Sequence, residues 1–196
     1  MAIVAGDLDK FLTGAGSDGG VQADPDASLG SYRSSSEIVD DTDENLFDDV
    51  EGAESEPGDT EYRCFCIQNK HGSLELQNAK VFIQEGDVGG GNSIEFAVEV
   101  PETTGLTDGD AQSIVDESTE PSDIDTTNHN GTGSGISDWS TATSYATGVS
   151  IDLGAHDVNL GVNELIFVWI KRIIGAAAPA AAAVDFTIRI EGDTAA

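Results

Sequence analysis

Positive charge is scarce in this sequence: 8 Lys and Arg side chains stand against 37 Asp and Glu among 196 residues, a formal net charge of -29. Nucleic-acid binding draws on basic side chains that displace counterions from phosphates, and binding to anionic membranes draws on the same chemistry. Neither partner is expected here. Cysteine is scarcer still. Cys64 and Cys66 are the only two, and a spacing of two along a strand puts both thiols on one face. A zinc site needs further Cys or His ligands at short spacing, whereas His71, His129 and His156 stand apart. Two small core residues are therefore the expectation. No apolar run of about 18 residues is present to span a bilayer, so no membrane insertion is expected. Met1 to Phe11 lacks the basic start and apolar stretch of a signal peptide, and none is expected.

Catalytic constellations are also missing. The chain has no His-Glu-x-x-His and no Gly-x-Ser-x-Gly. A pair of carboxylates means little in a chain with 37 acids. Gly14-Ala15-Gly16-Ser17-Asp18-Gly19 spells a dinucleotide fingerprint, but Asp24-Pro25-Asp26 follows too soon for the helix that would hold a pyrophosphate. A non-enzyme without a cofactor is expected. Asp41-Thr42-Asp43-Glu44-Asn45 opens like a calcium loop, then places Leu46 where the turn needs Gly and Gly52 where a bidentate Glu closes the site. Asp41, Asp43, Asp48 and Asp49, with Asp40, are left as weak candidates for a structural Ca²⁺, Na⁺ or K⁺; a solvated acidic loop is the plainer reading.

What the chain does have is acid spread along its whole length and interleaved with apolar strands, unlike a disordered acidic tail. Such a surface suits molar salt, where the Debye length shrinks to ~3 Å and carboxylates stay hydrated without straining the fold. Residues 1–60 carry only Lys10 and Arg33 as bases and are rich in Gly, Ser, Asp and Pro. They read as an acidic, partly extended N-terminal arm, whose apolar pieces, Phe11-Leu12 and Leu46-Phe47 among them, are spaced like anchors on neighbouring subunits. From Glu61 the apolar period becomes two. Tyr62 to Gln68 and Leu74 to Gln84 read as a hairpin turning at Asn69 to Gly72. Ile94, Phe96, Val98 and Val100 form a half-buried strand with Glu95 and Glu99 on its wet face. Val149, Ile151 and Leu153 make another. Asn163 to Ile174 is apolar on both faces, so it is central in its sheet or covered by a second subunit. Val184 to Ile190 is the last strand. The fold class expected is all-β: a single antiparallel β-sandwich, Ig-like or jelly-roll-like, over residues 61–196, with a long polar excursion at 102–147.

Two further sets of residues stand out. No Lys or Arg lies between Lys80 and Lys171, so Lys171 and Arg172, beside Trp169 on the most apolar strand, read as a docking point for an acidic neighbour or as a solvated strand end. Trp139 and Tyr145 in the polar excursion read as a stacking platform for a host surface glycan or receptor, or as local packing.

One stretch is familiar. Leu46-Phe47-Asp48-Asp49-Val50, Gly52-Ala53-Glu54-Ser55, Gly58-Asp59 and Glu61-Tyr62-Arg63-Cys64, followed by Leu76-Gln77-Asn78-Ala79-Lys80-Val81, resemble a family of small virion structural proteins of tailed phages. Asp24 to Gly30, Trp169-Ile170-Lys171-Arg172 and the terminal Phe186 to Ala196 fit the same pattern, and the likeness touches most of the chain outside 86–147. This chain departs in its greater acidity and in the segment 102–126. The resemblance implies a place in a particle and no known chemistry. Joined to the acidity, it implies a virion protein of a tailed virus of an extreme halophile, assembled in the host cytoplasm. The expected role is a capsid decoration, turret or cement protein, with a tail, baseplate or fibre component as the alternative and a carbohydrate- or receptor-binding module as a third. Its expected partners are the major capsid protein or tail proteins, and copies of itself.

Overall fold

The computed structural model of the chain describes residues 2–40, 42, 44–50, 57–85, 91–101, 106–122, 139–151, 158–176 and 186–194. Among the described residues nine strands carry the fold: β1 (Leu8–Ala15), β2 (Gly30–Glu37), β3 (Asp59–Asn69), β4 (Leu76–Glu85), β5 (Ser93–Glu99), β6 (Asp110–Ser113), β7 (Val149–Ser150), β8 (Leu165–Ile174) and β9 (Thr187–Thr194). They form a six-stranded sheet in the order β5-β8-β3-β1-β2-β6 and a three-stranded sheet in the order β7-β4-β9. Every strand pairing is antiparallel. The chain is all-β and its two sheets face each other as in a β-sandwich, as the alternating pattern predicted. Among the described residues no helix is long and apolar enough to cross a membrane.

Strand β8 explains the layering. It lies between β5 and β3, and its side chains alternate between two cores. Ile166, Val168 and Ile170 join Phe65, Ile67, Ile94, Phe96 and Val98 against β4 in the space between the sheets. Leu165, Phe167 and Trp169 point the other way and gather Phe11, Cys64, Cys66, Ala97 and Ala111. This second core fills the hollow of the six-stranded sheet, which curls into a half-barrel. The doubly apolar strand is thus covered within its own chain.

Three expectations about organisation are corrected. The segment expected as an arm supplies β1 and β2, and β1 is an interior strand between β2 and β3. Its signal is weak because β1 and β2 use hydroxyls where strands usually use branched apolar groups. Thr13 Oγ1 and Ser28 Oγ both donate to the Cys64 carbonyl, at 2.9 and 2.7 Å, and Ser28 Oγ accepts the Thr13 backbone N–H at 2.9 Å. These bonds satisfy backbone groups where β1 bends away from β3. The expected β3–β4 hairpin does not form, because β3 is already flanked by β1 and β8 and the chain crosses to the other sheet after Asn69. That corner is held by Asn69 Nδ2, which donates to the Leu74 and Leu160 carbonyls at 2.9 Å each. Within the polar excursion, Asp110–Ser113 is a strand paired with β2, and β7 is two residues long; Leu153 lies outside the described residues, as do Val184 and Asp185 of the expected last strand.

Candidate functional site

Two of the chain's eight basic side chains lie together, buried, at one end of the inter-sheet core. Arg63 on β3 and Arg172 on β8 share the face that carries Phe65 and Ile170 further along, and both are about 1% exposed. Between them lies the Phe47 ring, with the Arg172 guanidinium 4.7 Å and the Arg63 guanidinium 5.5 Å from its centroid. Phe47 in turn meets Phe186 edge-on at 6.1 Å. Arg172 Nε donates to Glu61 Oε2, while Nη1 and Nη2 donate to the Asp48 carbonyl at 2.5 Å and to its carboxylate at 3.0 Å. Arg63 Nη2 donates to Glu117 at 2.5 Å and to Asp26 at 3.1 Å. Register brings this about, since Glu61 stands opposite Arg172 in the β3–β8 ladder. Burial works against the Arg172 charge, but the hydrogen bond to Glu61 and the nearness of Asp48 outweigh it, so its pKa lies above the usual arginine value. Arg63 Nε is buried with no partner among the described residues. The cluster is an ionic plug that closes the end of an apolar core, and it spends its cations on its own acids.

A second polar group sits inside the hollow of the larger sheet. Glu99, expected on the wet face of β5, is fully buried. Its Oε2 accepts the Trp169 indole N–H at 2.6 Å and its Oε1 accepts the Gln112 backbone N–H at 2.8 Å. Desolvation is the largest influence on it and outweighs these two donors, so its pKa is pushed up to about 8. Cys64 and Cys66 lie in the same core with no exposure, and burial pushes both thiols well above the ordinary range. Such thiols are poor nucleophiles.

The residues singled out by sequence fall as follows. Phe11, Leu12, Leu46, Trp169 and Arg172 are buried inside this chain, so their expected role as subunit contacts is corrected; Phe47 is half-buried in the plug. Lys171 pairs with Glu95 at 3.0 Å and lies 5.4 Å above the Trp139 ring. Trp139 also donates to Glu120 at 2.8 Å and packs on Tyr62 at 5.8 Å. Tyr145 sits against the other sheet, donating its hydroxyl to the Asn78 carbonyl at 2.9 Å under Lys80. The two aromatics therefore do not make one platform. Asp41 and Asp43 lie outside the described residues. Asp48 is bound to Arg172 and Asp40 to Lys10, and Asp49 has interactions of its own. Among the described residues no group of three or more His, Cys, Asp and Glu is placed to hold a metal ion. A recess beside Val100, Leu106, Ile151, Leu160 and Ile166 has room for about 10 Å³, one water molecule.

Sequence reasoning missed the plug and the Glu99 bridge. The signal for the first was present: Glu61, Arg63 and Arg172 share the parity of their strands' core residues. Nothing in the sequence marked Glu99 apart from Glu95. Compared with known proteins, the chain matches no family model, no curated protein and no solved structure.

Proposed function

We propose that this chain is a virion structural protein of a haloarchaeal tailed virus, a capsid decoration or turret protein that works by protein–protein contacts in many copies. One observation supports this reading above others. The stretch that resembles phage virion proteins is the stretch that builds the ionic plug: Leu46 enters the core, Phe47 and Asp48 seat Arg172, and Glu61 and Arg63 complete the cluster. Arg172 belongs to another of the matching segments, Trp169 to Arg172. A motif whose described residues help hold a fold together suits a protein valued for its shape.

The acidic exterior suits assembly in molar salt. Tail placement is the alternative outcome. Dissociating virions stepwise in decreasing KCl and weighing the subassemblies tests both: release with or from capsid shells is expected. Recovery only with tails moves the protein there, and absence from purified virions overturns the proposal.

A further inference from the structure

The two sheets are unequal, six strands against three, and the smaller ends in β9. Among the described residues no strand pairs with the outer edge of β9. It is eight residues long, contains neither Lys nor Pro, and carries charges of both signs at Arg189, Glu191 and Asp193, so a partner on this edge must match those charges. Its core-side residues Ile188 and Ile190 are only half-buried, although both pack against the inter-sheet core.

The direction of its free backbone groups follows from its inner partner. Ile83 on β4 donates its N–H away from β9, to the Ala142 carbonyl at 2.8 Å. Ile83 stands opposite Ile188, and Val81 opposite Ile190. These are therefore the non-hydrogen-bonded positions of the β4–β9 ladder, and the N–H and C=O of Ile188 and Ile190 point outward. A new strand has to pair with them.

We infer that β9 is a self-pairing edge, on which a second copy of this chain adds its own β9 antiparallel about a two-fold axis at Ile190. Charge selects both the partner and the register. An axis at Ile190 sets Arg189 opposite Glu191 of the other copy, twice, at the non-hydrogen-bonded positions where side chains come closest. The same register sets Thr187 opposite Asp193. Moving the axis to Gly192 would oppose Glu191 and Asp193, two like charges. Moving it to Ile188 would give Arg189 no acid. In isolation Arg189 and Glu191 are about half exposed and touch each other at 3.1 Å along the strand, an arrangement of little energetic worth that a cross-strand pair can replace. Pairing would join two three-stranded sheets into one of six and set Ile190 against Ile190 of the other copy, with Ile188 opposite Gly192, continuing the core across the axis.

This gives the protein-contact reading its first named surface and rests on it in assuming that copies meet. Arg189→Cys and Glu191→Cys variants test it, because the native thiols are wholly buried. Under mild oxidation in KCl, an equimolar mixture of the two should form a disulfide-linked dimer, while each variant alone should cross-link far less. Equal cross-linking of the single variants, or none in the mixture while circular dichroism shows both folded, overturns the pairing. Sedimentation of the unmodified protein as a monomer at every concentration also overturns it. Recovery of the protein on virions is a separate readout, so the virion reading can stand or fall without this one.

Discussion

Glu99 and Gln112 stand on opposite edge strands of one sheet, yet the Gln112 backbone N–H reaches the Glu99 carboxylate at 2.8 Å. A side chain thus links the two edge strands β5 and β6 across the hollow of the curled sheet. The Trp169 indole, bound to the other carboxylate oxygen, fills the space enclosed.

The bridge makes stability depend on pH in a direction unusual for a carboxylate. Burial lifts the Glu99 pKa from 4.5 to about 8, so between those values the folded chain keeps a proton that the unfolded chain has lost. Stability contributed by this group is present below the unfolded value and lost as pH rises through the folded one, by at most about 1.4 kcal/mol per pH unit. Urea denaturation of the native chain and Glu99→Gln at fixed KCl should show a falling slope between about pH 5 and 8 that the variant lacks. Parallel slopes in the two proteins would mean that Glu99 stays ionised.

Gly30→Ala should open the same seam from the other side. Gly30 has φ +88, and a Cβ there would lie 1.8 Å from the Gln112 carbonyl oxygen and 3.0 Å from the Trp169 ring. Left-handed backbone strain and overpacking add. The expected loss is roughly 3 kcal/mol or more, read as a lower denaturation midpoint with quenched or shifted tryptophan emission. A midpoint within about 0.5 kcal/mol of the native chain, the range of ordinary surface changes, would contradict the close approach.

In the ionic plug, Arg172→Met should cost about 3–5 kcal/mol, because it removes the guanidinium that neutralises Glu61, which is 3% exposed, and Asp48. Adding Glu61→Met should recover most of that loss, since the desolvation cost leaves with the charge. Equilibrium unfolding of the single and double variants gives the coupling directly. A double variant as unstable as the single would show that the pair contributes more than it costs.

Cys64 and Cys66 should resist alkylation in the folded protein at pH 8 and react together on unfolding, since neither is exposed and both thiols are raised by burial. Labelling followed by mass spectrometry reads this, and also reports unfolding as KCl is withdrawn. Rapid labelling in molar salt would contradict the closed second core.

The architecture was legible where alternation was strong. Ile94, Phe96 and Val98, the two faces of β8, and Phe186, Ile188 and Ile190 all point where their period of two placed them. It was illegible where a large side chain forces its neighbours to be small. Trp169 takes so much of the second core that the facing strands offer Gly30, Ala97 and Ala111, and a strand reading Gly-Ser-Tyr-Arg-Ser-Ser-Ser-Glu carries no apolar period. Polar residues at core parity, Arg63, Glu99 and Arg172, look like surface residues until their partners are known. Those partners lie far away in sequence, Asp48 with Arg172 and Glu99 with Trp169 among them.

The placement of the cations has a thermodynamic consequence. Lys10, Arg33, Arg63, Lys171, Arg172 and Arg189 are each held by an acid of the same chain, and Lys80 covers Tyr145. The protein has placed much of its counter-ion supply inside itself, so a copy approaching another brings mostly carboxylates. Beyond the Arg189–Glu191 pairs at β9, contacts between copies bring carboxylates together, so assembly should take up cations such as K⁺ from the medium. Association should strengthen with KCl in a log–log plot of positive slope, the reverse of what a phosphate-binding protein shows.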